Sequence, residues 1–237
     1  MTNKKYLNKY FLFYERTQHL TFLFKKNITY ENDIQNEIKK YVNPGDFVLD
    51  IGANIGQFTL FFRDIITESG KLISFEPDPN NFKFLQMNVS ENRFKNVFTK
   101  NVGVGNSNRM LNFYSDKNTG GRMGTFVKNL AVDINSKSDN KINIVTLDSI
   151  IEQNGVPSFV KIDVEGFESN VLEGYKKKYD QIIFFIEVRT ETKKDVFSFF
   201  NNLNYKCILL TRVNRVIGFH DEIPNFANLL FIPKKNE

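Results

Sequence analysis

The segment Val48-Leu49-Asp50-Ile51-Gly52-Ala53-Asn54-Ile55-Gly56 carries the strongest signal of architecture in the chain. A buried apolar strand ends beside an acidic residue, a glycine turn follows, and a helix runs from about Gly56 to Ile66. Gly52 lets the backbone turn tightly and leaves no Cβ in the path of a ligand. The glycines are spaced G-x-x-x-G, whereas a dinucleotide site uses G-x-G-x-x-G; Asn54 and Gln57 occupy the positions of its second and third glycines. Close approach of a pyrophosphate is therefore poorly served. Asp50 points the same way, because a carboxylate at the strand end repels a pyrophosphate and attracts a cation. S-adenosylmethionine, with an ammonium and a sulfonium, fits that polarity.

Working outward, the turn Asn43-Pro44-Gly45-Asp46 introduces the first strand, and Lys71 to Phe75 forms the second. Glu76 ends the second strand about two dozen residues after Gly52, where an acidic side chain can accept both hydroxyls of a ribose. Pro77 fixes the exit, while Asp78 and Pro79 supply an N-cap and first-turn proline for the next helix. Val97 to Val102 reads as a third strand, whose end, Asn101-Val102, neighbours the adenine. Leu111 to Tyr114 and Asn143 to Thr146 are short extended pieces around a polar, Gly-rich loop. Phe159 to Ile162 and Ile182 to Ile186 are continuous apolar runs of the kind found in central parallel strands. A helix over Asp195 to Asn202 precedes two last strands, Tyr205 to Leu210 and Leu229 to Ile232, close enough in sequence to be antiparallel. Alternating strands and helices predict an α/β fold, a mainly parallel sheet of about seven strands with helices on both faces.

A second acidic cluster, Lys161-Ile162-Asp163-Val164-Glu165-Gly166-Phe167-Glu168, follows a buried strand. Ligands of open α/β sheets bind outside the carboxyl ends of the strands, so Asp163 and Glu165 are expected to face the same crevice as Asp50 and Glu76. Two carboxylates there are costly without a partner, which favours a functional reading for both. Glu168 reads as a capping or turn residue. Lys161, in mid-strand, is expected to stabilise developing negative charge, to snorkel or to pair with Glu165.

The segments VLDIGANIGQFTL, ISFEPDPNNFKFLQMNV, VTLDSI, FVKIDVEGFESNVLEG and IIFFIEV lie in this order across most of residues 43 to 188, and together they resemble the FkbM family of S-adenosylmethionine-dependent methyltransferases. The resemblance implies a class I methyltransferase, Rossmann-like fold, with a seven-stranded, mostly parallel sheet and one antiparallel strand. It also implies transfer to oxygen, often on a sugar. Gly52, Asn54 and Glu76 match as cofactor residues, and Asp163 and Glu165 as residues at the cofactor's end or in catalysis. The wider expected cofactor set is Asp50, Gly52, Ala53, Asn54, Gly56, Phe58, Thr59, Glu76, Pro77, Asn101, Val102 and Asp163.

An aliphatic hydroxyl must lose its proton during methylation, so a positioned base is expected. Asp163 or Glu165 is the first choice and His220, beside Asp221, the second. The chain has 2 His and 1 Cys in 237 residues, which leaves little scope for imidazole or thiolate metal sites; the carboxylates could hold a divalent cation, but the chemistry does not require one and no metal is expected. The lone Cys207 suits a reducing compartment, and no stretch reads as a signal h-region or a membrane span, so a cytoplasmic location is expected. Net charge is +5 and the lysines are scattered, which argues against nucleic-acid binding and is compatible with an anionic sugar as the small-molecule acceptor. Arg122, in the loop Asn118 to Gly124, is the candidate contact for an anionic part of that acceptor. Tyr6, Tyr10, Phe13 and Tyr14 recur at helical spacing, so residues 1–40 read as a helical extension to a domain over 41–237. Transfer to nitrogen, a nicotinamide-dependent oxidoreductase and a non-catalytic binding protein on the same fold are the competing readings. The acceptor and the oligomeric state are not legible.

Overall fold

In the computed structural model, residues 2–6, 9–13, 32–116, 123–133, 138–211, 213–218 and 220–234 are described. The chain opens with a hairpin, β1 (Thr2–Tyr6) against β2 (Lys9–Phe13), paired from Thr2↔Phe13 to Tyr6↔Lys9. Next comes α1 (Asn32–Ile38). The helical reading of residues 1–40 is thus corrected over Thr2–Tyr6 and Lys9–Phe13. Short aromatic runs satisfy strand preferences as readily as helical ones, and a segment of one or two turns gains little from helix cooperativity. Tyr14 and His19 lie outside the described residues.

Two strand–helix units follow: β3 (Phe47–Ile51), α2 (Gln57–Ile66), β4 (Lys71–Phe75), α3 (Pro79–Glu91), then β5 (Val97–Lys100). The caps explain the helix starts. Asp78 accepts from the N–H groups of Asn80 (2.8 Å) and Asn81 (3.1 Å) with Pro79 in the first turn, as its sequence position predicts. Helix α2 starts instead from Gly56 at φ 95° with no side-chain cap. The middle of the chain makes β6 (Gly103–Gly105), β7 (Arg109–Tyr114), α4 (Lys128–Asp133), β8 (Ser138–Thr146) and α5 (Leu147–Asn154). The remainder makes β9 (Phe159–Ile162), α6 (Glu168–Glu173), β10 (Ile183–Arg189), α7 (Lys193–Asn201), β11 (Tyr205–Leu210), β12 (Arg215–Ile217) and β13 (Phe226–Pro233).

The main sheet runs β12-β11-β13-β10-β9-β3-β4-β5. From β10 to β5 it is parallel, and β13 runs antiparallel to both β10 and β11. The expected seven strands with one reversed member are present, and β12 adds an eighth as an antiparallel edge on β11. The two short extended pieces of the middle region prove to be parts of β7 and β8, which with β6 form a separate three-stranded sheet.

Consecutive residues of the central strands are buried on opposite faces, so the strands read as unbroken apolar runs. Leu49 and Phe184 pack in a cluster with Ile150, Leu172 and Phe200 from α5, α6 and α7. Their neighbours Val48 and Phe185 pack with Ile38, Phe61, Phe62 and Leu85 from α1, α2 and α3. Burying each of Phe61 and Phe62 contributes roughly 2–3 kcal/mol, and truncating either to Ala is the kind of change that would loosen α2. No helix among the described residues is long and apolar enough to cross a membrane.

One consequence of this topology sets up the site. The chain leaves β3 toward β4 and β5 on one side and later returns through β9 and β10 on the other. A crevice forms outside the carboxyl ends of β3 and β9, where the direction of winding reverses.

Candidate active site

That crevice is a cleft of about 570 Å³ bordered by Gly52, Asn54, Glu76, Pro77, Val102, Asp163 and Glu165, with Asn81, Phe113 and Phe126 on its remaining walls. Gly52 has φ 78°, a left-handed conformation, and a Cβ there would sit 1.8 Å from the Asp163 carbonyl oxygen. Only glycine fits, because the turns after β3 and β9 touch backbone to backbone. The N–H groups of Gly52 and Ala53 both donate to the Phe75 carbonyl, at 3.0 and 2.9 Å, which ties the turn to the end of β4.

Glu76 is 5 % exposed, and its two carboxylate oxygens face different partners. Oε2 accepts the Asn54 N–H at 2.7 Å and Oε1 the Asp78 N–H at 2.9 Å. The Asn81 side chain hydrogen-bonds the same carboxylate, so three of its four acceptor positions are filled from within and one is left for a ligand hydroxyl. Burial pushes this carboxyl up to about 8; the two backbone N–H groups pull against that shift. Asn101 supports the same corner, donating through Nδ2 to the carbonyls of Glu76 (2.8 Å) and Pro77 (3.1 Å). Asn101 itself is behind the cleft, whereas Val102 borders it.

Asp50 departs from the sequence reading. It is fully buried beneath the turn, outside the cleft lining, and its cation belongs to the protein. Thr59 Oγ1 donates to Oδ2 at 2.7 Å, and Lys161 Nζ stands 3.3 Å from Oδ1. Lys161 therefore pairs with Asp50 and Asp163 (3.4 Å) rather than with Glu165. Thr59, Ala53 and Phe58 are likewise supports rather than walls: Thr59 holds Asp50, Ala53 is buried in the core, and the Phe58 ring lies 5.2 Å from Lys161 Nζ. Gly56 makes room for Leu85, whose Cδ1 would lie 2.9 Å from a Cβ.

The turn after β9 carries charge instead. Glu165 has φ 52° and Gly166 φ 95°, so the chain reverses through two left-handed residues. Strain of this kind persists only where the surroundings hold it. Arg189, the last residue of β10, grips Glu165 Oε2 through Nε at 2.7 Å and through Nη2. Its guanidinium also lies 4.9 Å from the Phe226 ring. Thr125 Oγ1 donates to the Glu165 carbonyl at 2.8 Å. Behind them, Glu168 is buried, accepting from the Gly166 N–H (2.9 Å) and Thr192 Oγ1 (2.6 Å), so the turn role read for it holds.

Burial and the nearby Asp163 charge raise Glu165 to about 7, against the opposing pull of Arg189. Asp163 is the more open, at 31 % side-chain exposure. Glu187 from β10 joins them, and carboxylate oxygens of Asp163, Glu165 and Glu187 all lie within 4.8 Å of one another. Such a trio is close enough to share a cation, and Lys161 and Arg189 already meet two of its charges.

His220 is exposed in the connection from β12 to β13, outside the cleft lining, so the second-choice base is set aside. Arg122 lies outside the described residues. Sequence reasoning passed over Asn81, Phe113, Phe126, Glu187 and Arg189. Glu187 and Arg189 were within reach of the strand-end rule, because β10 ends beside β9. The two aromatic rings, 4.9 Å apart, come from the small sheet and its following loop, and no local signal announces them.

A family model described as "Methyltransferase FkbM domain" matches residues 50–207. The chain is 25 % identical over 158 residues to the hexuronic acid methyltransferase AglP of Haloferax volcanii, covering 66 % of this chain and 61 % of that protein. It thus spans about three fifths of the length of the curated relatives it matches. Among solved structures, methyltransferase FkbM from Methylobacillus flagellatus KT superposes with a TM-score of 0.52 at 17 % identity, over 84 % of this chain and 50 % of that one. A SAM-dependent O-methyltransferase from Thermotoga maritima gives 0.51 at 12 % identity, over 96 % and 75 %. These likenesses are of fold, the Rossmann-like class I methyltransferase architecture.

Proposed function

Because the chain belongs to the FkbM methyltransferase family, we propose that it transfers a methyl group from S-adenosylmethionine to a hydroxyl of a sugar or sugar-like small molecule. The observation that carries this reading is the pairing, in one cleft, of a buried two-pronged carboxylate at the end of β4 with a glycine cradle that a Cβ would fill. Glu76, with the Asn81 side chain bonded beside it, would accept from the ribose hydroxyls. Pro77, Asn81 and Val102 would border the nucleoside, and the Gly52 turn would let it approach the backbone. When bound, this cofactor supplies a methyl made electrophilic by a sulfonium. A sugar acceptor draws support from the hexuronic acid methyltransferase relative.

Glu165 is the group best suited to receive the acceptor's proton. A base is most effective when its pKa lies near the working pH, and burial places Glu165 at about 7. Arg189 bonds only to Oε2, which leaves Oε1 for the acceptor hydroxyl. The proton passes to that oxygen, so the acceptor oxygen carries no positive charge once alkylated. Asp163, held by Lys161 beside the Gly52 turn, orients the end of the cleft where the two molecules meet. Incubation with labelled S-adenosylmethionine and a panel of free and nucleotide-linked sugars, read by mass spectrometry, tests the reading. A methyl ether on a sugar hydroxyl is expected. Methylation at nitrogen, or binding of NAD(H) in place of S-adenosylhomocysteine, overturns it.

A further inference from the structure

Lys161 lies in mid-strand at the centre of the sheet, an unusual place for a lysine, and it is 2 % exposed. Its register partners are Asp50 on β3 and Phe185 on β10. The ammonium rises to the carboxyl edge, where Nζ donates to the Gly52 carbonyl at 2.9 Å and stands 3.3 Å from Asp50 Oδ1 and 3.4 Å from Asp163 Oδ2. The Phe58 ring closes a further side. The peptide that follows Gly52 is thereby fixed at both ends, its carbonyl by Lys161 and its N–H by the Phe75 carbonyl. The next amide along the turn, at Asn54, is the donor to Glu76. One buried cation thus touches the Gly52 turn and the Asp163 turn together.

Structural need alone does not account for this arrangement. Replacing a buried ion pair by apolar groups of similar volume is often neutral or stabilising, so Asp50 and Lys161 are dispensable to the core in principle. Burial by itself would push the ammonium down, but Asp50 and then Asp163 outweigh that and hold it above its ordinary range, fully charged. A charge kept at this cost, with donors aimed at two turns of one cleft, is placed for the cleft.

We propose that Lys161 is a positioning residue: it sets the separation and orientation of the Gly52 turn and Asp163, and so governs cofactor affinity and turnover beyond its share in stability. The proposal rests on the cofactor reading above. The test is the paired replacement Asp50→Asn/Lys161→Met, which removes both buried charges and keeps the volume. Thermal unfolding, titration with S-adenosylhomocysteine, and kcat and KM are measured beside the wild type. We expect a folded double variant with Tm near the wild-type value, cofactor affinity at least tenfold weaker, and kcat reduced further than KM for the acceptor changes. Asp50→Asn/Lys161→Gln, which keeps an amide donor for the Gly52 carbonyl, should recover part of the lost affinity. A stable double variant binding within twofold of wild type overturns the proposal. If neither double variant folds, Lys161 serves stability and the proposal also falls. Wild-type protein that fails to bind S-adenosylhomocysteine brings down the cofactor reading with it, and so the two failures are told apart.

Discussion

The turns after β3 and β9 sit side by side at one edge of the sheet, and both pass through left-handed residues, yet they are held in different ways. The Gly52 turn is fixed largely by backbone, with Lys161 on its carbonyl and Glu76 on the Asn54 N–H: two N–H groups bond to the Phe75 carbonyl, and the Asp163 carbonyl oxygen fills the space that any side chain would need. The Glu165–Gly166 turn is fixed by side chains, with Arg189 on Glu165, Thr125 on its carbonyl and Glu168 on the Gly166 N–H. Backbone packing is indifferent to pH and gives a constant shape, which suits the binding of an invariant ligand. Ion pairs respond to protons and to neighbouring charge, which suits the proton uptake proposed for this end of the cleft. The two ends should therefore fail differently when disturbed.

The largest effect is expected from Gly52→Ala. A methyl 1.8 Å from a backbone oxygen must force the two turns apart, and the left-handed φ adds its own penalty. Stability should fall by about 3 kcal/mol or more, read by chemical denaturation, with loss of cofactor binding. Glu76→Ala comes next. It strands two buried N–H donors and removes the acceptor proposed for the ribose, so S-adenosylhomocysteine affinity should drop about a hundredfold by calorimetry.

Wild-type binding should also depend on pH. Glu76 holds a proton in the native protein up to about 8, while an ordinary carboxyl releases it near 4.5. The native state binds more protons across that window, so apo stability falls as pH rises through it, by at most about 1.4 kcal/mol per unit. Ligand hydroxyls favour the ionised form, so affinity should rise with pH toward about 8 and level off. Glu76→Gln should flatten that dependence; a slope that survives the substitution would assign it elsewhere.

At the charged end, Glu165→Gln should lower kcat by roughly a hundredfold while cofactor affinity changes little. Unchanged turnover there would return the base role to Asp163. Wild-type turnover should rise with pH through about 7. Arg189→Met removes the charge that favours ionised Glu165, so the same rise should move to higher pH. His220→Ala marks the small end of the series, with less than about a twofold change in kcat expected for a side chain outside the cleft.

Much of the framework was legible because the central strands announce themselves. A parallel strand buried on both faces needs an unbroken apolar run, and Val48 to Ile51, Phe159 to Ile162 and Ile183 to Ile186 satisfy that without reference to distant residues. Asp78-Pro79 is legible for a similar reason, since an N-cap bonds only to amides two and three residues on. The N-terminal hairpin was not, because spacing of three and four between aromatic residues carries no information about which neighbour will pair. The small sheet was only half visible: β7 and β8 are separated by more than twenty residues, and their register depends on contacts no local pattern encodes.

The same division runs through the site. Residue type and position after a strand placed Gly52, Glu76, Asp163 and Glu165 in one crevice, because the carboxyl ends of parallel strands share an edge whatever the loops do. Asp50 and Lys161 lie outside that rule. That carboxylates and glycines gather at this edge follows from strand polarity and chain order, both of which are written in the sequence. Which carboxylate meets the cleft, and which meets a lysine from another strand, is settled in the packed fold. That choice rests on side-chain distances of about 3 Å between residues more than a hundred positions apart, set by strand register and packing rather than by any neighbour in the chain.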